Sequence, residues 1–203
     1  MANIDREGLL ELVQAASRGD AETFRRAFAK NPVANNFRVT VGSLRELTLL
    51  HLAANRGSAD IAKLLVAAGA DLNSRDGAGQ TALLTASQWN HPDVVRVLLE
   101  NGADVNVGED HGLTPLMIAS FKGHAEVVQA LLGKGALVNV RAHDGTTALY
   151  MAALSGHCEV VQALLDKGAA VNAKNIEGET ALIAASLNGH DEVVQALVAK
   201  GAE

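Results

Sequence analysis

Apolar residues recur with helical spacing in short stretches of this chain. In residues 125–135 the apolar side chains fall on one side of a helix: Val127, Val128, Leu131 and Leu132. Gly135 ends this run as a left-handed cap. A shorter segment precedes it, with Pro115 where a first helical turn tolerates a missing N–H and Gly123 as its end. The pattern predicts a short helix, a turn and a longer amphipathic helix.

The segment that follows each helix pair has a different character. Residues 136–145, ALVNVRAHDG, hold few apolar residues and carry a turn signal at Asp144-Gly145. We therefore expect an extended, hairpin-like connector between one helix pair and the next.

This arrangement recurs with a fixed period of 33 residues. A threonine opens each short helix at that spacing: Thr48, Thr81, Thr114, Thr147 and Thr180. The glycine that closes the second helix has the same spacing: Gly69, Gly102, Gly135, Gly168 and Gly201. Self-similarity at such a period predicts a repeat architecture in which neighbouring units bury one another.

The segment TPLMIASFKGHAEVVQALLGKGALVN resembles the ankyrin repeat, and the resemblance extends over residues 43–203. Three departures stand out. The proline of the Thr-Pro-Leu-His opening occurs only at Pro115, its histidine occurs only at His51, and Asn90 replaces the glycine between the helices. Asparagine tolerates the left-handed backbone better than other non-glycine residues, so the turn is expected to survive. The resemblance implies an all-α repeat solenoid.

The period divides the chain into six predicted units. Residues 1–42 read as a degenerate N-terminal capping repeat with an extended connector, because Gly19 aligns with Gly57 and Asp20 suits the N-cap of a second helix. The unit is polar, as a terminal repeat must be. Five ankyrin repeats follow it: 43–75, 76–108, 109–141, 142–174 and 175–203.

Charge and composition narrow the function. The formal net charge is −6, which argues against binding to nucleic acid. Residues 1–75 carry ten Lys and Arg against eight Asp and Glu, whereas residues 76–203 carry seven against fifteen. The single cysteine, Cys158, cannot form an internal disulfide, and the chain shows no signal peptide or membrane-spanning run. We expect a cytoplasmic protein, with the nucleus as the other compatible compartment, and no membrane partner.

Two patterns that resemble cofactor or metal sites have simpler interpretations. Residues 77–82 fit G-x-G-x-x-A, but the repeat register makes them a connector tip and no buried strand precedes them. One histidine per repeat precedes each second helix: His91, His124, His157 and His190. Successive helices lie about 8–10 Å apart, too far for a shared zinc ion, so bonding to backbone is favoured. We expect no cofactor, no metal and no catalytic residue.

Positions that differ between repeats are those free to specify a ligand. They lie at the ends of the first helices and at the connector tips, and the resemblance implies that both sets line a concave groove that binds a protein partner. The predicted helix-end and first-helix residues are Arg56, Gln88, Trp89, Phe121, Lys122, Tyr150, Leu154, Leu187 and Asn188. The predicted tip residues are Arg45, Asp110, His111, His143 and Asp144.

Trp89 and Phe121 are prominent among them, being the sole tryptophan and the only phenylalanine outside the N-terminal unit. Either the two rings bind a partner or they pack between neighbouring first helices, and the sequence leaves both alternatives open. The connector from Asn31 to Glu46 is a second candidate contact.

The repeats predict a noncatalytic protein–protein interaction module. The alternative is an isolated or engineered ankyrin scaffold without a natural ligand. An enzyme would need a catalytic domain for which the repeats leave no room among 203 residues. The last repeat lacks a polar cap, so some of its apolar residues should face outward: Ile183, Leu187, Val194 and Val198. We expect this end to follow excision from a longer array or to make an end-to-end contact.

Overall fold

The computed structural model describes residues 6–31, 36–41 and 44–203, with the backbone alone at positions 6, 41, 44 and 45. The chain divides into two compact units, unit 1 over Met1–Asp104 and unit 2 over Val105–Glu203. The boundary falls inside the predicted repeat 76–108, and the predicted repeat bounds stay a prediction.

The described part of unit 1 contains six helices and two strands. These are α1 (Arg6–Arg18), α2 (Ala21–Lys30), β1 (Arg38–Val41), β2 (Leu44–Thr48), α3 (Leu49–Arg56), α4 (Ala59–Ala67), α5 (Ala82–Gln88) and α6 (Pro92–Glu100). Unit 2 contains six helices. These are α7 (Pro115–Lys122), α8 (Ala125–Gly133), α9 (Ala148–Leu154), α10 (Cys158–Asp166), α11 (Ala181–Leu187) and α12 (Asp191–Ala199).

A threonine begins the first helix of each pair from α3 onward. Its hydroxyl accepts a hydrogen bond from the backbone N–H three residues later, as between Thr114 and Met117 at 3.3 Å. This N-cap satisfies a backbone donor that the helix itself cannot pair. The same cap occurs at Thr48, Thr81, Thr147 and Thr180.

The turns between paired helices need a left-handed residue. Glycine supplies it in most repeats, as at Gly123 with φ 74°. Asn90 stands at this position between α5 and α6 and has φ 56°, so the expected tolerance of asparagine is confirmed.

Within each unit the helices pack as stacked pairs. In unit 1, α3 packs on α1, α4 and α5, and in unit 2, α9 packs on α7, α10 and α11. The leucine that recurs in each second helix is fully buried: Leu65, Leu98, Leu131, Leu164 and Leu197. These leucines form a thin apolar core between the helix layers.

The N-terminal helix pair, α1 and α2, has the N-cap that the sequence predicts at Asp20. Asp20 caps α2, since its Oδ1 accepts from the Thr23 N–H at 3.0 Å. Phe24 and Phe28 stack with ring centroids 5.4 Å apart, and both are buried. The pair therefore combines a polar surface with an aromatic core.

The connectors are less regular than the predicted hairpins. Only β1 and β2 form a ladder, antiparallel with Val39 opposite Leu47, and residues 49–203 contain no strand. A later connector is closed by two backbone bonds at its tip, as from Ala142 N to Thr146 O and from Gly145 N to Ala142 O, each at 2.9 Å. Because the threonine cap of the next helix follows these bonds at once, no room remains for a longer ladder.

The last helix pair carries the exposed apolar residues that the sequence predicts. Ile183, Leu187 and Val198 are 40%, 76% and 55% exposed, whereas Val194 is half-buried. Met117 occupies the position of Ile183 two repeats earlier and is buried. Across the described ranges, no helix is long and apolar enough to cross a membrane.

Candidate partner-binding cleft

Unit 1 has a cleft with a volume of about 450 Å³. Its walls come from the ends of α1, α3 and α5 and from the connectors that precede α3 and α5. The lining residues are Ser17, Leu47, His51, Leu52, Asn55, Arg56, Asp76, Ala78, Gln80, Thr85, Gln88 and Trp89. Three of them, Arg56, Gln88 and Trp89, were predicted as partner-binding residues.

Apolar and aromatic side chains form part of the cleft. Leu47 and Leu52 are 5% and 6% exposed, so they pack into the protein beneath it. Trp89 caps the end of α5 and is 54% exposed. The indole is therefore not packed away between helices, which was one of the two alternatives, and its face is open to solvent.

A histidine network holds one side of the cleft rigid. His51 Nδ1 accepts from the Thr48 backbone N–H at 3.2 Å and lies 2.8 Å from the Thr48 hydroxyl, while Nε2 donates to the Gln80 carbonyl at 3.0 Å. These partners assign the neutral tautomer with its proton on Nε2. Burial lowers the pKa of His51 below its usual value, and the bond to the Gln80 carbonyl only partly opposes this.

The end of α3 is fixed by the following helix pair. His91 Nε2 donates to the Asn55 carbonyl at 3.1 Å. The imidazole lies against Gly57, where a Cβ would come within 2.5 Å of His91 Nδ1, so only glycine fits this turn. The predicted bonding of this histidine to backbone is confirmed, and it positions Asn55 and its neighbour Arg56.

The connector tip at residues 77–82 forms a tight turn. Its sequence matches the dinucleotide-binding pattern G-x-G-x-x-A. Asp76 Oδ1 accepts from the backbone N–H groups of Ala78 and Gln80, each at 2.9 Å. The Asp76 backbone N–H also donates to the Gln80 carbonyl at 2.8 Å. One carboxylate oxygen thus organises the tip that forms this wall of the cleft.

In unit 2 the corresponding helix ends have different side chains. Phe121 is 42% exposed, and Lys122 Nζ lies 5.8 Å from the centre of its ring, within range of a cation–π contact. Leu154 is half-buried and Leu187 is exposed. Asn188 donates from Nδ2 to the Ala184 carbonyl at 2.8 Å, which closes the end of α11.

The same histidine device fixes these helix ends. His157 Nε2 donates to the Phe121 carbonyl at 3.0 Å, and His190 Nε2 donates to the Leu154 carbonyl at 3.1 Å. Repeated histidines thus hold the backbone of the positions that vary. The described residues contain no cluster of His, Cys, Asp and Glu with metal-binding geometry.

Tyr150 occupies the repeat position of His51 and likewise bonds to the next connector. Its hydroxyl donates to Glu179 Oε2 at 2.5 Å. Burial and this carboxylate raise the pKa of Tyr150 to about 12. The side chain is half-buried, so its hydroxyl is already committed within unit 2.

The predicted tip residues of unit 2 are exposed. His111 Nδ1 donates to Glu109 Oε2 at 2.9 Å, and this bond raises the pKa of His111. Although burial opposes it, hydrogen bonding from His111 lowers the pKa of Glu109. A backbone bond from Thr146 lowers the pKa of Asp144.

Consecutive connector tips in unit 2 are joined by backbone bonds, from His143 N to His111 O at 3.1 Å and from Ile176 N to Asp144 O at 2.9 Å. The exposed tip residues, including Asp110, thus project from a connected row. The predicted tip residue Arg45 lies outside the described side chains.

The sequence did not single out Ser17, His51 or Asp76 as groove residues. Ser17 was obscured because the N-terminal repeat is degenerate and five extra residues follow it, although the Gly19–Gly57 alignment places Ser17 and Asn55 in the same register. The second candidate contact, the connector from Asn31 to Glu46, packs on the next connector through Arg38, whose Nη1 donates to the Arg75 carbonyl at 2.7 Å.

Comparison with known families agrees with this architecture. A family model described as "Ankyrin repeats (3 copies)" matches residues 12–109, 69–142 and 116–203. The chain belongs to the ankyrin-repeat family. The predicted fold class, an all-α repeat solenoid, is thereby confirmed, and ankyrin repeats are a type of protein–protein interaction module.

Two plant proteins are similar to part of this ankyrin-repeat chain. The probable E3 ubiquitin-protein ligase XBOS33 of Oryza sativa subsp. japonica is 41% identical over 80 residues. The E3 ubiquitin-protein ligase XBAT33 of Arabidopsis thaliana is 40% identical over 80 residues. Each match covers 39% of this chain and 15% of the ligase.

Proposed function

We propose that the chain is a noncatalytic interaction module that binds a protein partner in the cleft of unit 1. The observation that carries the proposal is the exposed indole of Trp89 at the edge of a cleft of about 450 Å³. A volume of this size falls within the range of about 300–1,000 Å³ that is usual for ligand-binding clefts. A partner side chain seated beside the indole would remove it from water.

The expected energetics favour a protein ligand. A tryptophan buries about 150–250 Å² of surface, and truncation of such an anchor at an interface commonly costs about 2 kcal/mol or more. Trp89 has more than half of its surface available for this burial. The remaining polar groups of the cleft add direction and specificity.

Rigidity supports the same proposal. His51 fixes the start of α3, His91 fixes its end, and Asp76 fixes the opposing connector tip through three separate hydrogen-bond networks. A cleft whose walls are held in this way loses little conformational entropy when a partner binds. The shared repeat framework thus presents the variable side chains in a preorganised arrangement.

The chemistry of the cleft supports a noncatalytic role. Both nitrogens of His51 are used in bonds to the protein, and one oxygen of Asp76 accepts two backbone donors. A general base needs a free basic atom within reach of a substrate proton. The ligase activity in the names of the two plant relatives belongs to those proteins, since the match spans a small part of each.

Cys158 and the absence of any other cysteine fit a reducing compartment, and we propose the cytoplasm or nucleus as the site of action.

The test is a comparison of three immobilised proteins: the unaltered chain, Trp89→Ala and Leu10→Ala. Leu10 is 56% exposed, close to the 54% of Trp89, and does not line the cleft, so it is a matched control. Proteins retained from a cell extract are quantified for each. We expect a set that is lost with Trp89→Ala and kept with Leu10→Ala. Equal retention by all three proteins would contradict the proposal and favour a scaffold without a ligand in this cleft.

A further inference from the structure

We propose, on the basis of the partner-binding role above, that the cleft of unit 1 takes an acidic segment of a protein partner. Carboxylates of the segment pair with Arg18 and Arg56, and an apolar side chain between them lies beside Trp89. Two observations support this inference: the arginine side chains at two adjacent helix ends, unpaired within the described part of the chain, and the apolar lining of the cleft.

The three residues occupy one position in successive helix pairs of unit 1. Arg18 ends α1, Arg56 ends α3, and Trp89 caps the end of α5. The first two helix ends are neighbours, because α1 packs on α3 and a Cβ at Gly19 would lie 2.7 Å from Ser58 Oγ. Two guanidinium groups and an indole therefore follow one another along a single row, in which Arg56 and Trp89 line the cleft and Arg18 directly follows the lining residue Ser17.

Both guanidinium groups are available to a ligand. Arg18 and Arg56 are exposed, and neither has a hydrogen bond or an ion pair with any residue that the structure describes. Three other arginines of unit 1 have carboxylate partners. Arg25 pairs with Glu22, Arg38 with Glu46 and Arg96 with Asp93.

The helix dipole explains why a cation stands at the end of α1 and of α3. It does not explain why neither arginine has a carboxylate partner among the described residues. Positive charge near a helix C-terminus is stabilised by the helix dipole. That interaction leaves the planar N–H donors of each arginine unused, and these donors match a carboxylate in a two-point bond. Since the row holds two such groups, a segment with two spaced carboxylates complements it.

The rest of the cleft favours a peptide over a polynucleotide, which would also carry negative charge. Leu47, Leu52 and Trp89 line it with apolar surface suited to an aliphatic or aromatic side chain. The chain has a formal net charge of −6, which repels a polyanion.

Unit 2 offers a built-in contrast. The residues in the same register as Arg56 and Trp89 are Lys122, Ser155 and Asn188. Only one of these three is charged, so a preference for acidic segments that arises from the paired arginines belongs to unit 1.

The experiment selects binders from a displayed library of random twelve-residue peptides on the full chain. Selection is repeated on Arg18→Glu/Arg56→Glu, on Trp89→Ala and on the matched control Lys134→Glu/Lys167→Glu, which reverses two exposed charges of unit 2 outside the predicted partner-binding residues. The affinities of enriched, tryptophan-free peptides for each protein are then measured by calorimetry, which works equally well for Trp89→Ala, the variant that lacks the sole tryptophan. A thymidine oligonucleotide is titrated in parallel.

We expect enrichment of peptides with two acidic residues flanking an apolar one. Their affinity should fall at least about tenfold in Arg18→Glu/Arg56→Glu and remain within about twofold in Lys134→Glu/Lys167→Glu. Enrichment of neutral or basic peptides that still require Trp89 would overturn the acidic preference while leaving the proposed function in place. Stronger binding of the oligonucleotide than of any peptide would overturn it in favour of a polynucleotide ligand.

Two further outcomes are decisive. If enriched peptides bind Trp89→Ala as well as the unaltered chain, the cleft is not the site and the proposed function itself fails. If no peptide is enriched above an unrelated bait, the inference is contradicted. Circular dichroism of each variant establishes that it is folded before its binding is compared.

Discussion

The two units of this chain share a framework but differ in what the framework presents. In both, threonine caps begin the first helices, and histidine side chains bond to the carbonyl groups at their ends. At one variable position, unit 1 has Arg56 and Trp89, whereas unit 2 has Lys122, Ser155 and Asn188 in the same register. The repeated residues therefore build the fold, and the variable residues beside them determine which partner is bound.

Charge follows the same division. Unit 1 carries eleven Lys and Arg against twelve Asp and Glu, and unit 2 carries six against eleven. Unit 1 is therefore nearly neutral, and its Arg18 and Arg56 have no carboxylate partner among the described residues, while unit 2 is distinctly acidic. An acidic partner segment would meet less repulsion at unit 1.

The largest effect is expected from the core that both units share. Leu98 and Leu164 occupy the same repeat position and are both fully buried. Substitution of either by alanine should lower the free energy of unfolding by about 3 kcal/mol, because it leaves a cavity between helix layers. Urea denaturation measures the loss, with Leu187→Ala as the exposed control at a cost below about 0.5 kcal/mol. A marked difference between the two buried sites would contradict the shared framework.

A smaller gain is expected at a buried serine that also recurs in both units. Ser87 and Ser120 are fully buried, and neither hydroxyl has a hydrogen-bond partner within the described ranges. Replacement of each by alanine should raise the free energy of unfolding by about 1 kcal/mol, since an unsatisfied hydroxyl is removed. Ser186 has the same position but is exposed, so Ser186→Ala is the control and should change little. Destabilisation by Ser87→Ala would show that its hydroxyl is bonded after all.

The sequence predicted the framework well because each element has a local cause. Threonine caps, left-handed glycines and Asn90 define helix boundaries without reference to distant residues. Exposure is different, since it depends on what covers a side chain in three dimensions. The open indole of Trp89 and the bond from Tyr150 to Glu179 therefore required the structure.

Acid should distinguish the two units at one shared position. His51 is buried and has a lowered pKa, so the folded protein binds fewer protons there than the unfolded chain. Its stabilising contribution is complete above the ordinary value of 6.5 and is lost as the pH falls through the lowered pKa. Hydrogen exchange near α3 should accelerate over this range, while exchange near Tyr150 should show no step from this position. His51→Leu introduces the residue found at the equivalent Leu84 and should remove the step in hydrogen exchange. A step that persists in this variant would arise from the titration of another group.

The smallest effect is expected in unit 2 at high pH, where stability falls as Tyr150 loses its proton, whereas at His51 it falls in acid. The pKa of Tyr150 is raised from the ordinary value of 10.0 to about 12, so its stabilising contribution is complete below 10.0 and is lost as the pH rises through about 12. Tyr150 is the sole tyrosine, and ultraviolet difference spectra report its ionisation directly. Glu179→Gln removes the neighbouring carboxylate and should bring the transition closer to 10.0. An unchanged transition in that variant would leave burial alone as its cause.

The proposal that a partner binds beside Trp89 is tested most directly by the solvent access of this side chain, because this sole tryptophan lies at the cleft. Acrylamide quenching of its fluorescence is measured with and without a saturating peptide from the selection described above. The account predicts efficient quenching of the free protein and clear shielding of the indole in the complex. Equal quenching in the two states, with binding verified by calorimetry, would place the partner elsewhere and contradict the account.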